Sequence, residues 1–136
     1  MMKIEHIGIA VKDLTASNQI FEKLLGKEAY KQEMVAGEKV KVSFFQVGDV
    51  KVELLQATAH DSPIARFLEQ QKEGIHHLAF AVENIQEEVE RLKGDGFAFL
   101  NEEAKDGADN KLIVFLHPKS TNGVLVELCQ DKNAYG

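Results

Sequence analysis

Two stretches decide the fold, because they are one phrase written twice: HIGIAVKDL from His6 to Leu14 and HLAFAVENI from His77 to Ile85. Each sets a histidine at the head of an alternating small/apolar run and closes on a polar residue followed by an aliphatic one. Each has an answering stretch further on: KVELLQ carries Glu53 and VLVELCQ carries Glu127. The interval from His6 to His77 nearly equals that from Glu53 to Glu127. A module with one imidazole and one carboxylate has been duplicated.

Alternation sorts these strands into two faces. His6 shares a face with Gly8 and Ala10, and His77 shares one with Ala79 and Ala81. The opposite face carries the bulky Ile7, Ile9, Val11, Leu78, Phe80 and Val82, suited to packing on helices. Small residues beside each histidine leave a space.

Outward from the repeats, Asp13 reads as an N-cap, with Leu14, Phe21, Leu24 and Leu25 at helical spacing, the small Ser17 on the same face, and Gly26 as the stop. Strands are expected over 28–35, 40–47 and 50–57, the last two joined through Gly48-Asp49 as a hairpin. Asp61-Ser62-Pro63 opens a short helix through Arg66, Phe67 and Leu68. In the second half a strand spans 75–82, and Asn84 with Glu87 makes a capping box. Ile85, Val89 and Leu92 form that helix's apolar stripe, which ends near Gly94 and Gly96. Residues 97–100 read as a short strand, 101–110 as a mobile loop, and 112–117 and 124–130 as strands. The expectation is a single α+β domain over residues 1–136. Two βαβββ modules, about 1–60 and 74–136, form one curved, cupped mixed sheet with helices outside, and a linking helix spans about 61–73.

Composition narrows the function. The chain has 136 residues, 44% hydrophobic and 28% charged, with net charge −6 and only Arg66 and Arg91 as arginines. Nucleic acid and anionic membrane surfaces are poor partners for it, and no apolar run suits a membrane span. No signal-peptide pattern precedes the first strand. The single cysteine, Cys129, excludes an internal disulfide and fits a reducing compartment, so the cytoplasm is the expected location. Inward carboxylates at Glu53 and Glu127 cost several kcal/mol unless compensated. A divalent cation would satisfy both glutamates and both histidines, and this donor set suits Co²⁺, Mn²⁺, Zn²⁺, Ni²⁺ or Fe²⁺. A hydrogen-bonded core histidine and a solvent-facing glutamate are the ordinary alternatives for any one such residue; an internal repeat of the pair argues against them. Parity and repeat alignment choose His77 over His76, which would face the helices.

At these residues the chain resembles the vicinal oxygen chelate (glyoxalase/bleomycin-resistance) superfamily and, within it, the methylmalonyl-CoA epimerases. VELLQATAHDSPIARFL, GIHHLAFAVENI and IVFLHPKSTNGVLVELCQ carry the likeness. The resemblance implies interconversion of (R)- and (S)-methylmalonyl-CoA at a divalent metal, with Co²⁺ foremost and Mn²⁺, Zn²⁺, Ni²⁺ or Mg²⁺ as alternatives, in a homodimer. It implies His6, His77 and Glu127 as metal ligands. A further ligand position, glutamine in some relatives, matches Glu53. Removing and returning an α-proton calls for positioned bases; Glu127 is one candidate. Relatives with glutamine at the Glu53 position carry a glutamate on the preceding strand, which positions 40–44 here do not supply. Glu53, a water or Glu38 would then be the second. Lys119 is a candidate for a CoA phosphate or the substrate carboxylate, or is simply a solvated turn lysine; Lys105 and Lys111 are other local cations for CoA. A glyoxalase-type lyase, an iron dioxygenase and a metal-free binding or resistance protein are the competing classes.

Overall fold

The computed structural model describes residues 2–135. Contacts divide the chain into two compact units, one of residues 6–76 and the other of residues 2–5 with residue 77 onward. Element order is β1 (Lys3–Ala10), α1 (Leu14–Leu25), β2 (Lys31–Val35), β3 (Val40–Val47), β4 (Val50–Ala57) and α2 (Pro63–Gln70). Then follow β5 (Gly74–Ala81), α3 (Ile85–Gly94), β6 (Lys105–Gly107), β7 (Lys111–Phe115) and β8 (Val126–Asp131). This is the expected α+β fold of two βαβββ modules.

In the first unit the strand order is β2-β3-β4-β1. β1 runs parallel to β4, while β4 with β3 and β3 with β2 are antiparallel. β3 and β4 have the expected bounds because Gly48 supplies the positive φ (61°) that a two-residue hairpin loop needs. On the helix side Val11, Leu14, Phe45 and Leu54 are buried, with Ile9, Phe21, Leu25, Ala29 and Val52 around them. Burial of each large apolar side chain contributes about 1.5–3 kcal/mol. The expected stripe of α1 is corrected in one respect. Leu24 is 70% exposed, and Asn18 takes the buried place beside Leu14.

The second unit repeats the plan in the order β5-β8-β7-β6. β5 is parallel to β8, with β8–β7 and β7–β6 antiparallel. Its helix-side core is Val82, Ile85, Val89, Leu92, Val114, Leu116 and Leu128, with Met2 and Phe80 packed on it. Its fourth strand lies elsewhere than expected. Residues 97–100 make only the Phe99–Leu116 bridge, and β6 falls inside the stretch read as a mobile loop. Asp109 and Asn110, both at φ near +60°, turn β6 back into β7 as a tight hairpin. Asn101 fastens the preceding residues, accepting from Phe115 N at 2.8 Å and donating to Ile113 O at 3.3 Å.

Candidate functional site

The duplicated histidines and glutamates are buried, each unit holding one pair. On the first unit's histidine face, Gly8 lies opposite Glu53 across the β1–β4 ladder. His6 Nδ1 is 3.1 Å from Glu53 Oε2, with both side chains at least nine-tenths buried. In the second, Ala79 lies opposite Glu127. His77 Nε2 is 3.5 Å from Glu127 Oε1, again deeply buried. Small residues between the histidine and the glutamate let the two side chains meet above the sheet; a Leu at Gly8 or Ala79 would stand in that space.

Backbone and helix caps fix the two glutamates alike. Asp13 Oδ1 accepts from Ala16 N and Asn84 Oδ1 accepts from Glu87 N. Gln56, three residues beyond Glu53, accepts from Leu14 N at 2.6 Å, and Gln130, three beyond Glu127, accepts from Ile85 N at 2.8 Å. Each strand bearing a glutamate is thereby tied to the first helical amide of its own module, an amide that the helix itself leaves unsatisfied. The sequence reading quoted both glutamines without assigning them this work. Their recurrence at the same place in both copies was the available signal.

The spacing of the pairs tests the metal expectation. Ligand bonds of about 2.0–2.2 Å place neighbouring donor atoms roughly 3.0–3.5 Å apart, which is the range of both pairs. The 3.5 Å separation is long for a hydrogen bond and natural for two donors sharing an ion. Buried His and Glu side chains among the described residues fall in groups able to hold one. The donor set therefore fits a divalent cation.

An aromatic ring flanks each pair. Phe44 lies opposite Glu53 and Phe115 opposite Glu127. The Phe115 ring meets His77 edge-on, with centroids 6.1 Å apart. Cys129 is buried on the same face, opposite Ala81 and Ile113. As expected, β3 offers no carboxylate on this side, where Val42 and Phe44 stand. Glu38 sits in a 3₁₀ turn (Ala36–Glu38). The sequence reading missed Glu33, which β2–β3 pairing places opposite Val42 and so on the Glu53 face. Lys119 is exposed on a 3₁₀ turn, its backbone amide donated to His117 Nδ1 at 3.1 Å. Ser120 and Thr121 serve that turn, accepting from Ala98 N and donating to Val124 O.

His76 behaves as the outward residue of its pair. Its ring packs edge-on against Phe67 of α2, with centroids 5.1 Å apart, and burial pushes its pKa down to about 4. It is a neutral aromatic packing residue beside a ligand candidate.

Comparison with known proteins places this geometry. Residues 5–115 match the family described as the glyoxalase/bleomycin resistance protein/dioxygenase superfamily. The uncharacterized protein YqjC of Bacillus subtilis is 40% identical over 97% of this chain and 94% of its own length. The mitochondrial methylmalonyl-CoA epimerase of Homo sapiens is 40% identical over 94% of this chain and 73% of its own. A methylmalonyl-CoA epimerase solved with methylmalonyl-CoA and NH4+ superposes with a TM-score of 0.91 at 29% identity, covering 98% of this chain and 97% of that one. With the buried pairs in place and relatives of this kind along nearly its whole length, the chain belongs to the glyoxalase/bleomycin resistance/dioxygenase superfamily and, within it, to the methylmalonyl-CoA epimerase family.

Proposed function

We propose that the protein interconverts the two epimers of methylmalonyl-CoA, with His6, Glu53, His77 and Glu127 holding one divalent metal ion, Co²⁺ foremost. The observation that carries this reading is the duplicated buried His–Glu pair with donor spacings of 3.1 and 3.5 Å. Membership in the epimerase family supports the choice of substrate. When bound, the ion supplies Lewis-acid stabilisation of the charge that develops as the α-proton leaves.

The chain's own groups do the rest. Glu127 accepts the proton on one face of the α-carbon, and Glu53 returns one on the other. Both carboxylates are buried, where bulk water does not compete for the transferred proton. Gln56 and Gln130 fix the strands from which the two glutamates project. Gly8, Ala79 and Ala81 leave room for the acyl group.

Elemental analysis of the purified protein, run beside epimerisation and deuterium uptake from D₂O, tests the reading. Metal should be retained by the unmodified protein and by His76→Ala, and lost from His6→Ala and His77→Ala. Equal loss from His76→Ala and His77→Ala would remove the assigned face. Oxygen consumption in place of α-proton exchange would move the protein to the dioxygenases of its superfamily.

A further inference from the structure

We infer that the outward row of α1 is a contact between two copies of this chain, α1 packing antiparallel against α1 about a two-fold axis at Ile20. The residues involved all lie within the unit of residues 6–76, and the histidine–glutamate face takes no part. α1 turns Leu14 and Asn18 to the sheet, where both are buried. Away from that side, steps of four residues run Lys12, Ala16, Ile20, Leu24 and Glu28, and all five are exposed. Ile20 is 62% exposed and Leu24 70%. Two large aliphatic side chains one turn apart form a patch, unlike the scattered single ones of an ordinary surface.

The repeat supplies a control. Aligned on the capping residues Asp13 and Asn84, Ile20 corresponds to Arg91 and Leu24 to Asp95, both exposed. Strand register extends the contrast to the sheet beside each helix. Met34 lies opposite Lys41, on the helix side with Phe45, and is 62% exposed. Aligned on Phe44 and Phe115, its counterpart opposite Leu112 is the exposed Asp106. Three solvent-facing positions are thus apolar in the first module and charged in the second. The fold does not require apolar residues there; a covering partner does. The row is its own complement. Turned end for end about Ile20, it sets Ile20 on the partner's Ile20, Leu24 on the partner's Ala16 and Glu28 on the partner's Lys12, while Lys27 meets the partner's Asp13. A large side chain over a small one seats ridge in groove, and unlike charges at both ends fix the antiparallel sense. Such an isologous contact closes at two copies. A lipid surface would call for cations at both ends.

One helix row is smaller than a standard interface, so the dimer should be weak, with Kd about 1–100 μM. Sedimentation velocity across that range reads the association. Ile20→Glu faces itself across the axis and should raise Kd about tenfold or more; Arg91→Glu, at the matching place of α3, should leave it unchanged. Lys12→Glu and Glu28→Lys should each weaken the dimer roughly three- to tenfold, and the two together should restore it, because the pair has only been turned round. A disulfide should join two copies of Ile20→Cys and not two of Leu24→Cys, which would lie about 12 Å apart along the helix. The unmodified protein, whose Cys129 is buried, controls for stray oxidation. Monomer at every concentration, or a dimer indifferent to Ile20→Glu, would overturn the proposal. So would cross-linking through Leu24→Cys alone, which needs another register. Monomer that floats with phosphatidylcholine vesicles through Ile20 and Leu24 would overturn it too, giving the row to a lipid surface.

Discussion

The two modules are alike where they present histidine and glutamate and unlike on the side that meets their helices. Asn18 of α1 occupies the place of Val89 in α3, both five residues after the capping residue. Ser43, beside Phe44, occupies the place of Val114, beside Phe115. Asn18 Oδ1 and Ser43 Oγ are buried with no hydrogen-bond partner among the described residues. Val89 and Val114 are plain members of an apolar core. Duplication has thus kept the histidine–glutamate pairs while the layer beneath them differs.

The largest expected effect breaks the likeness of the two glutamates. Glu127→Gln keeps an oxygen donor but cannot accept a proton at neutral pH, so epimerisation should fall by about 10²–10⁴-fold with substrate affinity little changed. Glu53→Gln should exchange the α-proton of one epimer only. Deuterium incorporation into each epimer, beside the interconversion rate, checks both; full activity in Glu53→Gln would confine Glu53 to metal binding.

A smaller effect sharpens the contrast between the residues before each histidine, Glu5 in β1 and His76 in β5. The folded pKa of His76 is about 4 against an ordinary 6.5, so the unfolded chain binds its proton first. The stability tied to neutral His76 is complete above pH 6.5 and is lost as pH falls from there toward 4, in all about 3 kcal/mol at most. Denaturant melts from pH 7 to 4 should show a shallower decline in His76→Phe, which keeps an aryl group against Phe67. Parallel declines would mean that His76 does not titrate in this window.

The smallest effect makes the modules more alike. Asn18→Val and Ser43→Ala, alone or together, should raise stability by about 1–2 kcal/mol, because each removes a buried polar atom that has no partner among the described residues. Urea midpoints measure it. A fall instead would indicate that an ordered water satisfies both atoms.

Much of this was legible in the sequence, for a physical reason. The bounds of β3 and β4 and the caps at Asp13, Ser62 and Asn84 follow from local chemistry: a glycine at a tight turn, an oxygen before a helix. The candidate pairs were legible because strand alternation, unlike tertiary packing, can be counted along one chain. β6 escaped because Lys-Asp-Gly has neither alternation nor β-branched residues; its pairing comes from β7 and the Asp109-Asn110 turn. Leu24 misled because spacing alone cannot tell which edge of a helical stripe is covered. Glu33 and Lys105 could be placed only by register between strands, which no single stretch encodes.

The division of the chain bears on how it is made. Residues 6–76 form a unit whose parts are neighbours in sequence, so it can assemble as soon as it has been synthesised. Residues 2–5 belong with the other unit, where Met2 packs against a core that includes Leu128. Residues 2–5 are therefore synthesised well before the residues they pack against. Closing so long a loop costs only a few more kcal/mol than closing a short one, since the entropy grows with the logarithm of length. It costs time instead, as non-local contacts slow folding. A chain stalled before residue 128 would carry β1 already paired with β4, with residues 2–5 still waiting for theirs.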